Sequence, residues 1–343
     1  MSEHSKIEVP DDGAGRSLLE RAAKRFDLDA YSAPPVPSGL AQVRPQPVVR
    51  AVQPEPVAAP AQPAAASAPR MAPEPMAPEP MVVKEEVVVA ARAAPVVFRG
   101  REQHIDREHL RAQGLIVPEG SVTALLEEFR IVKRQLLLQA ADLRRQGVGP
   151  SAQRVLVCSP HSGEGKTYCS VNLALSIAAE RENEVLLVDA DFAKPTVLST
   201  LGLQGGPGLM DALTDPAADV ADFVIRTDIP GLSVLPAGHA TNADSEHLNS
   251  SRTPLVLDRL TEGAPQRMVI FDSPPALAAA PAAELAKFVG QAVMIVRADS
   301  TGQGSLEDAI SLLSGCPNIQ LLLNAVQFSP SGRRFGSYYG YGG

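Results

Sequence analysis

The chain has 343 residues and a formal net charge of -8, with its acidic residues spread out and no long basic block, so it carries no electrostatic footprint for nucleic acid. Its three cysteines, Cys158, Cys169 and Cys316, are odd in number and lack metal-ligand spacing, which fits free thiols in a reducing compartment. The N-terminal MSEHSKIEVPDD has no apolar stretch of the secretory kind, and no run reaches the roughly 18 uninterrupted apolar residues of a spanning helix. The expectation is a cytoplasmic protein with no transmembrane segment of its own.

Residues 1–32 form a short N-terminal segment in which RSLLERAAKRFDLDA places Leu18, Leu19, Ala22 and Phe26 on one helical stripe. This predicted amphipathic helix either docks on a partner or caps its own domain. Residues 33–96 are mostly Ala, Pro, Val and Gln, and sixteen of the 31 prolines fall in the first 95 residues. Such a stretch cannot bury a core and reads as a disordered linker, extended where MAPEP is repeated at 71–75 and 76–80. Residues 97–326 are rich in Leu, Val, Ile and Ala, enough for one globular domain.

Within that domain, 121–138 has helical periodicity, with Glu127, Arg130, Lys133 and Arg134 along a charged side and Leu125, Phe129, Val132 and Leu136 on an apolar one. Short apolar runs then alternate with helical stretches, at 155–158, 185–188, 232–235, 268–271, 292–296 and 319–323. Continuous apolar strands separated by helices predict an α/β three-layer sandwich with a mainly parallel sheet. Ligands of such sheets bind at the carboxyl ends of the strands.

The first run leads into SPHSGEGKT and then a helical stretch, the order strand, glycine loop, helix N-terminus. Gly163 and Gly165 let backbone N–H groups approach phosphates, with Glu164 between them; Lys166 reaches the β and γ phosphates, Thr167 offers a hydroxyl to Mg²⁺, and Tyr168 opens the helix. Pro160 stands where the usual P-loop has its first glycine, but a plain glycine turn leaves the adjacent Lys and Thr unexplained. The second run ends in VDADFAKP, bringing Asp189 and Asp191 to the same edge. Asp189 is placed to accept a hydroxyl proton or hold Mg²⁺ through water, and Asp191 is the second candidate; a solvated Asx turn is the alternative. The fourth run ends in FDSPP, where Asp272 matches a metal-supporting strand end. Asn324, ending the last strand, contacts the adenine or closes an ordinary turn.

Residues 327–343 form a tail in which SGRRFGSYYGYGG holds Tyr338, Tyr339 and Tyr341, three of only five tyrosines in the chain. Gly and Ser around them predict flexibility, with hydroxyls free to accept a phosphoryl group.

On these residues the stretch from about Gln103 to Gly343 resembles the bacterial tyrosine autokinases of exopolysaccharide export, in particular the type associated with exosortase loci. That family's loop SxxPxEGK[ST] is matched by Ser159, Glu164, Gly165, Lys166 and Thr167, with Ser162 in place of proline. Its DxDxR motif is matched by Asp189 and Asp191, with Ala193 at the arginine position and Lys194 and Pro195 following. Asp272, Pro274 and Pro275 fit its third motif, the tail tyrosines its acceptor cluster, and Glu127, Arg130 and Lys133 its ring-forming ExxRxxR helix. The resemblance implies a P-loop NTPase fold with ATP and Mg²⁺ as cofactors, Lys166, Asp189 and Asp191 as catalytic residues, and Thr167, Asp189 and Asp272 around the metal. It also implies a homo-oligomer, a ring among the options, and a separate membrane protein governing polysaccharide chain length that holds the chain peripherally at the inner membrane. Two alternatives stay open. One is a switch ATPase of the partition and cell-division type, which usually carries an extra lysine where this chain has His161. The other is a weakly active ATP-binding assembly subunit, motivated by Ala193.

Overall fold

The structure, a computed structural model, describes residues 94–180 and 182–326. The expected N-terminal helix, the linker up to residue 93 and the tyrosine tail lie outside the described residues.

The described chain opens with β1 (Glu102–Gln103), α1 (Arg107–Ala112) and the long α2 (Ala124–Arg145). The central unit follows as β2 (Arg154–Cys158), α3 (Lys166–Ala178), β3 (Glu184–Asp189), α4 (Val197–Leu201) and α5 (Leu209–Thr214). A hairpin of β4 (Ile225–Thr227) and β5 (Leu232–Leu235) leads to α6 (Asp244–Leu248), α7 (Arg252–Arg259) and β6 (Arg267–Asp272). The last elements are α8 (Pro281–Ala286), β7 (Gln291–Arg297), α9 (Gln303–Leu312) and β8 (Ile319–Asn324).

The eight strands of the described residues form one sheet in the order β1-β4-β5-β3-β6-β2-β7-β8. Every neighbouring pair is parallel except β4 and β5. The six strands expected from apolar runs are all present. The two unexpected ones, β1 and β4, are two and three residues long, too short for a periodic signal.

The central strands are buried on both faces, as parallel strands covered by helices must be. Their side chains sort by the two-residue period into two cores: Val155, Val157, Val185, Leu187 and Ile270 on one face, Leu156, Cys158, Leu186, Val188 and Phe271 on the other. Cys158 and Cys169 are buried and their thiols are pushed up to about 12 by that burial, so they act as apolar filler.

Helix α2 starts where the Thr123 hydroxyl accepts a bond from the Leu126 amide at 3.2 Å, and ends with Arg144 and Arg145 at its negative pole. Its buried stripe is Leu126, Phe129, Lys133, Leu136, Ala140 and Leu143, spaced alternately three and four residues apart. Lys133 therefore lies on the buried side, not the charged side. Val96 is buried, and its amide donates to the Glu262 carbonyl at 3.0 Å.

Because β2 lies between β6 and β7, the loop that leaves its carboxyl end opens where chain connections diverge to either side. That is where ligands of open α/β sheets bind.

Candidate nucleotide site

The run from Ser159 to Gly165 joins β2 to the first turn of α3 and is tied down at its start. The Ser159 hydroxyl donates to the His161 carbonyl at 2.7 Å, and the Ser159 carbonyl accepts the Ala276 amide at 2.8 Å. Gly165 adopts φ of 96°, and a Cβ there would stand 2.2 Å from the Asn324 amide nitrogen. Only glycine satisfies both conditions. The loop thus delivers its backbone directly to the N-terminus of a 13-residue helix whose first amides have no intrahelical partner.

Side chains of the first turns of α3 meet acids at or just beyond the ends of β3 and β6. The Lys166 ammonium lies 3.1 Å from an Asp191 oxygen. The Thr167 hydroxyl donates to Asp272 at 2.7 Å and lies 3.2 Å from the Thr196 hydroxyl. Ser170, one turn on, donates to the other Asp272 oxygen at 2.9 Å.

Asp189 and Asp272 are register partners on adjacent strands, and both are fully buried. Burial first, and then the neighbouring Asp272 charge, push the Asp189 carboxyl up to about 7. Burial pushes Asp272 up to about 6, against the opposing pull of Lys166, Thr167 and Ser170. Asp189 accepts the Asp191 amide at 3.2 Å on one oxygen and the Val197 amide at 3.0 Å on the other. One acceptor site on each Asp189 oxygen thus shapes the loop that follows β3. Asp191 accepts the Lys194 amide at 3.1 Å on one oxygen and faces Lys166 with the other. Lys194 itself is exposed, as is Ala193.

The other expected site residues have partners of their own or lie outside the described residues. The Tyr168 hydroxyl donates to the Gly114 carbonyl at 2.8 Å, pinning α3 to the segment after α1, so its side chain is no part of the cradle. Asn324 does reach the loop, but its amide donates to the Glu164 carbonyl at 2.9 Å. Of the three expected oligomerisation residues, Glu127 and Arg130 pair with each other on the surface of α2. Lys133 is only 3% exposed and donates to the Ser176 carbonyl at 2.6 Å while pairing with Glu180 at 2.9 Å. Its charge is met inside the domain, at the negative end of α3. Tyr338, Tyr339 and Tyr341 lie outside the described residues.

Sequence reasoning missed Ser170, Thr196, Arg297 and Thr301. Ser170 had one usable signal, its place four residues after Lys166 on the same helical face.

No protein-family model matches the chain. It is 30% identical over 181 residues to the tyrosine-protein kinase ptk of Acinetobacter johnsonii, a match covering 52% of this chain and 24% of that relative. It is 28% identical over 216 residues to the tyrosine-protein kinase YwqD of Bacillus subtilis, covering 63% of this chain and 84% of the relative. The chain thus spans about a quarter of the first relative's length and most of the second's. Among solved structures, the chimerical protein CapA2B2 superposes with a TM-score of 0.52 at 22% identity, over 67% of this chain and 93% of that one, which speaks for the fold. Among the described residues, no helix is long and apolar enough to cross a membrane.

Proposed function

We propose that this chain, a relative of the bacterial tyrosine-protein kinases, is an ATP-dependent tyrosine autokinase that transfers the γ-phosphoryl group to Tyr338, Tyr339 and Tyr341 of its own tail or that of another copy. The observation that carries the reading is the meeting of Lys166, Thr167, Asp191 and Asp272 around one glycine loop at a helix N-terminus. Neither a structural turn nor a simple anion site requires two acids beside the loop's lysine and threonine.

Each residue then has a task. The loop amides and the α3 N-terminus bind the phosphate chain. Lys166, now held by Asp191, neutralises charge on the terminal phosphate oxygens. The Thr167 hydroxyl and Asp272 lie 2.7 Å apart and fit a Mg²⁺ ion that takes one hydroxyl ligand and one acid through water. Among the described residues no cluster of three or more His, Cys, Asp or Glu side chains forms a metal cage, so phosphate oxygens and water would complete the shell. When bound, Mg²⁺ supplies positive charge for the transferring group. Asp191 is the acid placed to orient an incoming tyrosine hydroxyl and take its proton, while Asp189 keeps the Asp191 loop in shape.

In the wider reading, the kinase regulates exopolysaccharide polymerisation and export as a homo-oligomer, held peripherally at the inner membrane by a separate chain-length-determining protein. Incubation of the purified full chain with ATP and Mg²⁺, followed by phosphosite mapping, tests the reading. Phosphate on the tail tyrosines is the expected result. Unmodified Tyr338, Tyr339 and Tyr341, even with the membrane partner added, would sink it.

A further inference from the structure

Three side chains from the carboxyl ends of β7 and β8 grip the glycine loop, and none takes part in the chemistry described above. Arg297 donates to the Gly163 carbonyl at 3.1 Å, and Asn324 to the Glu164 carbonyl at 2.9 Å. The Thr301 hydroxyl donates to a Glu164 carboxylate oxygen at 2.5 Å. The other Glu164 oxygen accepts the His161 amide at 2.8 Å. Glu164 is only 4% exposed, so its carboxylate depends on these two donors, one inside the loop and one outside it.

The outside donor is held firmly. Residues 297–301 form a tight turn in which the Thr301 amide donates to the Arg297 carbonyl at 3.0 Å and the Thr301 hydroxyl accepts the Arg297 amide at 2.9 Å. Asp299, at φ of 58°, takes a left-handed conformation that non-glycine residues keep only where their surroundings impose it. The turn therefore presents the Thr301 hydroxyl in one orientation.

We propose that Thr301 is a positioning residue for the nucleotide: by fixing the buried Glu164 carboxylate it holds the phosphate loop in its receiving shape before any phosphate arrives. A loop already in shape loses less conformational freedom on binding, so the latch acts on affinity. It touches neither the acceptor nor the acids beside Lys166, so it leaves the transfer step alone. The inference rests on the ATP-binding reading above.

The test is direct binding of a fluorescent ATP analogue with Mg²⁺ to the full chain, together with KM and kcat for tail phosphorylation. Thr301→Val keeps the side-chain shape and removes the donor. Its Kd and the KM for ATP are expected to rise about tenfold with kcat within twofold, the scale of leaving a buried charged acceptor short of a partner. Thr301→Ser, which restores the hydroxyl, is expected to bind within about twofold of the natural chain. In a Glu164→Gln background the further change Thr301→Val is expected to add less than about twofold, because the two residues act as one unit. Unchanged affinity in Thr301→Val, failure of Thr301→Ser to restore it, or additive effects in the double variant would overturn the latch. Should Thr301→Val unfold at the assay temperature, Glu164→Gln alone carries the same expectation of weakened binding, and unchanged affinity there is equally fatal. A natural chain that binds no ATP analogue at all overturns the nucleotide reading itself, a result distinct from every variant outcome.

Discussion

The two flanks of the glycine loop differ in what they hold. On the β3 and β6 side, Asp191 and Asp272 hold side chains of the loop's end, Lys166 and Thr167. On the β7 and β8 side, Arg297 and Asn324 hold carbonyl groups of the loop, and Thr301 holds its one buried carboxylate. The first flank places charge where a phosphoryl group would travel. The second gives the loop its shape. A phosphate site needs both, because a correctly charged lysine on a wandering loop spends binding energy on ordering.

Changes on the two flanks should therefore differ in kind. The largest effect is expected from Lys166→Met, which removes the charge itself: tail phosphorylation should fall by on the order of a hundredfold or more, measured as the initial rate at saturating ATP. A loss under fivefold would remove Lys166 from the chemistry.

Next comes Gly165→Ala on the shape side. It places an alanine at φ of 96° with its Cβ 2.2 Å from Asn324. The left-handed strain alone is worth roughly 1–2 kcal/mol, so the thermal midpoint should drop by several degrees and ATP affinity with it. An unaltered midpoint would mean the loop is free to relax.

The acidic flank should also show itself through pH. Asp189 has its carboxyl raised from 3.8 to about 7 in the fold, so the folded state binds its proton more tightly than the unfolded chain does. The stabilisation this provides is complete below about pH 4 and is lost as pH rises toward 7. Asp189→Asn should flatten the decline of the nucleotide-free thermal midpoint across that window. A slope identical to that of the natural chain would show that Asp189 stays ionised throughout.

The smallest effect is expected from Asn324→Ala, which removes one bond to a loop carbonyl, worth about 0.5–1.5 kcal/mol. It should also relieve part of the Gly165→Ala clash, so that the double variant is less damaged than the sum of the single ones. Strict additivity would break the link between the β8 end and the loop.

Much of the fold was legible because its signals are contiguous. Each of the six apolar runs is a strand, and the central ones, β2, β3 and β6, are buried on both faces, so they need no partner information to look apolar. The strand, loop and helix around Lys166 were equally plain, since all their parts lie within a few residues of one another. The α2 face was read less well. A lysine within a helical stripe counts as polar by type, and only the Ser176 carbonyl and Glu180, 43 and 47 residues further on, make burial of Lys133 tolerable.

The division of labour between Asp189 and Asp191 shows the same limit. Two acids two residues apart are equal candidates until the backbone turns and hands two amides to one of them and Lys166 to the other. The sequence by itself determined the layered sheet, the glycine loop and the residue types at its mouth, because hydrophobic period and local backbone geometry are properties of neighbouring residues. Only the tertiary structure decided which polar side chains face one another. Thr301 and Glu164 stand 137 residues apart, and their meeting follows from β7 lying beside β2 in the sheet, a neighbourhood set by how the whole core packs.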